Sequence, residues 1–198
     1  MYYSKGACSL AIRITIHEIG VACEFESVNL QTKQTETGAD FLKINPKGSV
    51  PVLLDNKELL TENTALQQYL SETHKSSLLP SMGDFNRYRV LEWLSFVSTD
   101  LHKGCGPLFN AKLPDAIKDE FFKPVLKNKI NLLEQHFKNN KYLLDTLFTC
   151  ADSYLFVVLS WLAHFNMPLS EWPNVERYFA DVKKRPAVQK ALQEEGLA

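Results

Sequence analysis

The chain has 198 residues, 45 % of them apolar and 23 % charged, and its 22 basic and 23 acidic side chains leave a net charge of −1. That balance belongs to a soluble globular protein with a sizeable core, and it provides no global field to recruit nucleic acid or an anionic membrane. Four cysteines, Cys8, Cys23, Cys105 and Cys150, are scattered without a Cys-x-x-Cys pair, so neither a zinc site nor a dithiol motif is expected, and no metal. No apolar run is long enough to span a membrane, and the first residues lack a basic stretch leading into an apolar one. A cytoplasmic location with reduced thiols is expected.

Met1 to Tyr3 reads as the start of a strand, and Ser4-Lys5-Gly6 as a turn in which Gly6 is free to take a positive φ. Cys8 and Ser9 then open a helix with Ile12, Ile16 and Ile19 at helical spacing, ending near Gly20. Cys23 to Leu30 alternates as a second strand, which makes Met1 to Leu30 a βαβ unit with a parallel pair. A polar stretch follows to Gly38, then one or two helical turns at 39–43, and Asn45-Pro46-Lys47-Gly48 has turn chemistry. Ser49 to Leu54 and Glu58 to Leu60, joined by Asp55-Asn56-Lys57, form an antiparallel hairpin. Thr61-Glu62-Asn63-Thr64 starts a helix carrying Leu66, Tyr69 and Leu70. This is a small α/β domain over residues 1–72.

Residues 73–83, with Lys75-Ser76-Ser77, Pro80 and Gly83, read as a linker, and 84–198 as an all-helical domain. Val90, Leu94, Val97 and Leu101 step by helical intervals, as do Leu126, Ile130, Leu133 and Phe137. The segment containing Ala151, Leu155, Val158, Leu162 and Phe165 is almost wholly apolar, so its helix is expected at the centre, and Thr149-Cys150-Ala151-Asp152 before it has the form of a capping box. Two shorter helices follow, with Pro173 and Pro186 in their first turns.

Cys8 sits where a strand hands over to a helix, and the unpaired N–H groups there favour a thiolate. A small buried hydrophobe is the other reading of that cysteine. A proline at Val50-Pro51 suits either a cis bond that frees the backbone of Val50 for an extended peptide, or an ordinary trans strand end. Thr61 to Thr64 can cap its helix, or bind a ligand carboxylate at the N–H groups while Glu62 takes an ammonium. His102 and Lys103 could hold a proton or raise thiolate occupancy, though a lone histidine is more often structural. Each signal alone is weak.

In combination, Lys5-Gly6-Ala7-Cys8-Ser9-Leu10, Asn45 to Pro51, Leu60-Thr61-Glu62-Asn63, Leu101-His102-Lys103-Gly104 and Ala151-Asp152-Ser153-Tyr154 resemble the cytosolic glutathione transferases, most closely the bacterial beta class, from Met1 to Ala198. The resemblance implies a thioredoxin-like N-terminal domain that binds glutathione as co-substrate, and a helical domain lining a pocket for a small hydrophobic electrophile. It also implies a homodimer. It places Cys8 against the glutathione sulfur, able to form a mixed disulfide, and pairs the Val50 backbone with the tripeptide before a cis Pro51. Lys33, Glu62 and Asn63 match positions binding its ends, and Ser95, Thr99, His102 and Lys103 complete the expected ligand set, with His102 also in a catalytic role. Asp152 matches a structural cap, and Tyr3 is not the main player. Two departures stand out: Ser95 replaces an Asn that reaches the partner's glutathione, and Cys105 replaces an apolar residue, as a second redox thiol or an inert buried one. The candidate pocket walls are Leu108, Phe109, Leu113 and Trp161. Conjugation is the expected reaction; a mainly disulfide- or peroxide-reducing enzyme and a non-catalytic binding scaffold are the alternatives.

Overall fold

The computed structural model describes residues 1–74 and 76–198; Lys75, in the expected linker, lies outside the described residues. The chain divides into two compact units, Met1–Ser76 together with Arg185–Ala198, and Ser77–Lys184.

The first unit is built on a five-stranded mixed sheet in the order β3-β2-β1-β4-β5. Strand β1 (Tyr2–Tyr3) runs parallel to β2 (Glu26–Asn29) and antiparallel to β4 (Val52–Asp55). The parallel pair is linked by helix α1 (Ser9–Ile19), which ends at Gly20 in the left-handed conformation that glycine adopts without a Cβ clash. Strand β5 (Glu58–Thr61) closes the hairpin with Leu53 opposite Leu60 and Leu54 opposite Leu59. Its two-residue loop, Asn56 and Lys57, has positive φ at both positions, which matches the twist of the flanking strands. Strand β3 (Gln34–Thr35), paired with β2, falls in the polar stretch to Gly38, to which the residue pattern assigns no element. The second strand is also shorter than the alternation of 23–30 indicates.

Helices cover both faces of the sheet. Ile12 and Ile16 of α1 pack with Leu66 and Leu70 of α3 (Asn63–Thr73) and with Leu53. On the other face Phe41 of the short helix α2 (Phe41–Ile44) packs with Val28, Val50 and Val52. Between α2 and β4 the chain turns at Gly48, whose φ is +62° and where an added Cβ would lie 3.1 Å from Leu42 Cδ2 and 3.4 Å from Lys33 Nζ. A Gly48→Ala substitution is therefore expected to cost about 1–2 kcal/mol, the penalty of an L-residue in the left-handed region, read as a lower urea midpoint at unchanged slope.

The second unit is helical: α4 (Phe85–Phe96), α5 (Lys103–Phe109), α6 (Asp115–Ile117), α7 (Lys123–His136), α8 (Cys150–Ser160) and α9 (Pro173–Lys183). Helix α8 is buried from Cys150 to Leu159, so it has no polar face. Thr149 and Asp152 form the capping box: Thr149 donates its backbone N–H and its hydroxyl to the Asp152 carboxylate at 2.8 and 2.9 Å. The apolar run then tightens into a 3₁₀ turn over Leu162–Phe165 rather than continuing as α-helix. Val90, Leu94, Val97 and Leu101 are all buried, as their spacing predicts. The segment between α4 and α5, Val97–His102, is nevertheless a π-helix.

The stretch expected to be all-helical over 84–198 is helical to its far end, but its last helix makes its contacts with the first unit. Helix α10 (Pro186–Glu194) packs on α1 and belongs to the first unit, held there by Arg13 and Arg185. An amphipathic helix shows in its pattern that it buries one face, but not against which partner. Among the described residues no helix is long and apolar enough to cross a membrane.

Candidate active site

Cys8 is the residue that opens α1, reached from β1 through a turn tied at several points. Gly6 takes φ +68°, Ser4 N–H donates to Ser9 Oγ at 3.1 Å, and Ser9 Oγ donates back to Ser4 O at 3.2 Å. Gly6 N–H donates to Glu195 Oε2 at 2.8 Å. Glu195 is buried, and that burial, opposed by the Gly6 N–H and Arg13, leaves its carboxyl above the usual range. Arg13 bonds Glu195 through Nε at 3.1 Å and Glu194 through Nη1 at 2.9 Å, with its guanidinium carbon 3.8 Å from the Phe25 ring centre and 4.2 Å from that of Tyr3. Tyr3 thus serves as a packing face for a buried cation. Sequence patterning gave no signal for this support, because Arg13 and Glu195 are 182 residues apart.

The Cys8 sulfur donates to Val50 O at 3.3 Å, and the Val50–Pro51 peptide is cis. The Val50 carbonyl, expected to be open for a peptide, therefore already receives the thiol. Asn63 is buried and donates its side-chain amide to Cys8 O at 2.7 Å, so it fixes the backbone of the cysteine. Behind it Gln67 accepts from Thr15 Oγ1 at 2.6 Å, joining α3 to α1. Glu62, the N-cap of α3, has φ +73° and ψ +122°, a conformation that L-residues rarely adopt and that clusters at ligand sites. Lys33, also at positive φ, donates from Nζ to Gly48 O at 2.7 Å. Lys47, which reads in sequence only as part of a turn, bonds Thr61 Oγ1 at 3.0 Å and pairs with the Glu62 carboxylate. Cys8, Val50, Pro51, Glu62 and Asn63 therefore converge within one unit. A cleft of about 670 Å³ in the same unit, bordered by Met1, Cys23, Phe25 and His74, contains none of them.

In the helical unit the π-helix carries Thr99 and His102, a geometry that recurs at functional sites. Thr99 is exposed, with Oγ1 2.9 Å from Ser95 O, while Ser95 spends its hydroxyl on Leu91 O at 2.9 Å. Lys103 is exposed. His102 Nδ1 is hydrogen-bonded to the Tyr154 hydroxyl, and its ring stands edge-on to Trp161 at 5.0 Å. Burial, aided by the charge of Lys103, lowers the His102 pKa to about 4, so the ring is neutral at pH 7. Phe109 meets Trp161 at 5.5 Å and Phe165 at 4.7 Å, while Leu108 and Trp161 are buried. Cys105 is wholly buried and its thiol is pushed up to about 12, which makes it an inert packing residue rather than a second redox thiol.

A depressed histidine pKa has a stability consequence. Between about 4 and 6.5 the unfolded chain binds a proton at His102 that the folded chain refuses, so folding stability falls as pH drops through that window. Asp152, raised to about 6 chiefly by burial, acts in the opposite sense over much of the same range. Denaturant titrations of wild type and His102→Gln at a series of pH values isolate the histidine: the variant is expected to lose less stability on acidification.

The first 72 residues match the family model for the glutathione S-transferase N-terminal domain, and residues 99–195 match that for the C-terminal domain. The chain belongs to the glutathione S-transferase family. It is 38 % identical over 199 residues to the glutathione S-transferase GstA of Escherichia coli O157:H7, covering all of this chain and 98 % of that one. A beta-class glutathione S-transferase of Sphingomonas chungbukensis superposes with a TM-score of 0.94 at 38 % identity, covering 100 % of this chain and 98 % of its own. A sphingomonad glutathione S-transferase complexed with glutathione gives 0.94 at 37 % identity, with the same coverage. The thioredoxin-like unit, the helical unit and a glutathione transferase activity are what this glutathione S-transferase shares with those relatives.

Proposed function

We propose that this glutathione S-transferase binds glutathione across the first unit with its sulfur beside Cys8, and conjugates it to small hydrophobic electrophiles. The observation that carries this reading is the convergence of the Cys8 sulfur, the cis Val50–Pro51 peptide and the strained Glu62 at the start of α3. In the conjugation step the glutathione thiolate attacks the electrophilic carbon, and the leaving group departs with the electron pair of the broken bond. The N-terminus of α1 stabilises negative charge on sulfur there.

Cys8 gives the same site a second chemistry. Its thiolate attacks the glutathione sulfur of a mixed disulfide, releasing the other thiol and forming a Cys8–glutathione disulfide. A second glutathione thiolate then displaces Cys8 and leaves as oxidised glutathione. No neighbouring cysteine is present in Cys8-Ser9-Leu10-Ala11 to resolve the bond internally.

Lys33, Val50, Pro51, Glu62 and Asn63 are assigned to the tripeptide, Asn63 through the backbone of Cys8 that it holds. His102, neutral at pH 7, is assigned as a hydrogen-bonding group rather than a strong base, with Ser95, Thr99 and Lys103 as the helical unit's further polar contribution. The aromatic cluster of Phe109, Trp161 and Phe165 is the proposed apolar wall for the electrophile. The division at residues 72 and 84, a homodimer, a role in detoxification and a cytoplasmic location are part of the same reading.

Retention on immobilised glutathione, combined with turnover of an aryl halide, tests it. A chain that neither stays on the resin nor turns over the halide would be a binding scaffold instead.

A further inference from the structure

We infer that Tyr154 is a positioning residue: its hydroxyl donates to His102 Nδ1 and fixes the ring as the tautomer protonated at Nε2. That N–H then serves electrophiles that take up negative charge on an oxygen as the sulfur adds. The inference rests on the aromatic cluster being the electrophile's wall, and it gives Tyr154 a part in the reaction.

Tyr154 lies one turn into α8, a helix with no solvent face, and is itself 2 % exposed. A buried phenol keeps its O–H paired, and its partner here is His102 Nδ1 on the π-helix. The two rings meet nearly edge-on, at 83° with centres 5.8 Å apart, while His102 meets Trp161 at 63° and 5.0 Å. The imidazole is therefore held from two sides, by α8 and by the residue that ends it. Its other nitrogen, Nε2, makes no hydrogen bond among the described residues. Trp161 in turn meets Phe109, and all of these side chains belong to the helical unit.

The tautomer follows from relative donor strength. A neutral imidazole carries one N–H and one bare nitrogen, and His102 is neutral at pH 7 because burial and Lys103 lower its pKa to about 4. A phenolic O–H is a stronger donor than a neutral imidazole N–H, and a bare ring nitrogen is a stronger acceptor than a phenol oxygen. The hydrogen bond at one ring nitrogen decides which nitrogen keeps the proton. Tyr154 therefore donates, Nδ1 accepts, and the proton sits on Nε2. Without the hydroxyl the two tautomers compete, and a ring with bare Nε2 offers an acceptor in place of a donor.

When a glutathione thiolate adds to a nitroaryl halide, the sulfur's electron pair forms the S–C bond and negative charge moves onto a nitro oxygen. The charge returns to the ring as the halide departs with the electron pair of its bond. An N–H fixed among apolar side chains stabilises that oxygen far more than the same group in water. A benzyl halide has no such oxygen and gains little from it.

¹⁵N spectra of histidine-labelled wild type at pH 7, with His102 assigned from its absence in His102→Gln, are expected to show a protonated Nε2 and a bare Nδ1. A proton on Nδ1 overturns the inference, whatever the variants do. Tyr154→Phe, which keeps the ring, should lower kcat for chlorodinitrobenzene about threefold to tenfold, the worth of one neutral hydrogen bond, at unchanged KM for glutathione. In a His102→Gln background the same substitution should cost no more than about twofold, and benzyl chloride should lose less than the nitroaryl halide. An equal loss in both backgrounds, or for both halides, leaves Tyr154 a packing residue and overturns the inference. Wild type that turns over neither halide overturns the electrophile reading beneath it.

Discussion

Replacing Cys8 with alanine is expected to lower glutathione-dependent disulfide reduction by about 10²-fold or more, the scale of losing one group that acts directly in the chemistry. The sulfur is the only atom in the proposed exchange that can hold glutathione covalently, and no second cysteine lies within the same turn. The backbone of the site should survive, because Asn63 binds the carbonyl of residue 8 rather than its side chain, and the Ser4–Ser9 bonds are independent of it. Conjugation of an aryl halide is the informative contrast. If Cys8 mainly positions the glutathione sulfur, conjugation should fall less than disulfide reduction. Intact-protein mass spectrometry after incubation with oxidised glutathione should show an adduct in wild type and none in the variant. Equal rates and equal adduct formation in both proteins would reduce Cys8 to a packing residue.

Removing the Asp152 carboxylate should produce the largest loss of stability. It accepts from Leu143 N–H at 2.9 Å, Thr149 N–H at 2.8 Å, the Thr149 hydroxyl at 2.9 Å and the Tyr178 hydroxyl at 3.1 Å, and the residue is completely buried. Hydroxyls can rotate toward other acceptors, but the two backbone N–H groups cannot. At about 1–3 kcal/mol for each buried donor left unsatisfied, together with the lost cap at about 1 kcal/mol, Asp152→Ala should cost roughly 3–7 kcal/mol. For a chain of this size that is a fall in melting temperature of about 10 °C or more. Asp152→Asn keeps one acceptor oxygen but turns an NH₂ toward the remaining donors, so an intermediate loss is expected. Thermal unfolding followed by circular dichroism measures both, and a shift under about 2 °C for the alanine variant would contradict the role given to the network.

How far these features could be read from residues alone depended on the range of the interaction behind each. The βαβ start, the hairpin and the capping box rest on neighbours, and local patterning located them. Strand β3 escaped because two polar residues, Gln34 and Thr35, pair with β2 without any apolar alternation. The π-helix escaped because Val97 and Leu101 are buried in it just as an α-helix would bury them. Cys8 and Glu62 were visible as candidates because each opens a helix. Lys47 was not, since its residue type and turn setting are shared with many solvated lysines. The cis peptide at Val50–Pro51 was one of two options that the dipeptide allows. The ion cluster of buried Arg13 and Glu195 with the exposed Glu194 had no local signature at all. The assignment of α10 to the first unit follows from that cluster.

The placement of α10 also orders events during synthesis. The Gly6–Glu195 bond joins residues 189 apart. At the ~5–20 residues per second of ribosomal elongation, the turn bearing Cys8 waits at least several seconds for its last support. During that interval residues 77–184, which form the second compact unit, have all been made. The first unit is therefore begun first and completed last, and closing so long a loop adds little entropy cost beyond a loop of half the length. A nascent chain arrested before α10 emerges would already carry Cys8 and its helix, yet would lack the carboxylate that holds Gly6.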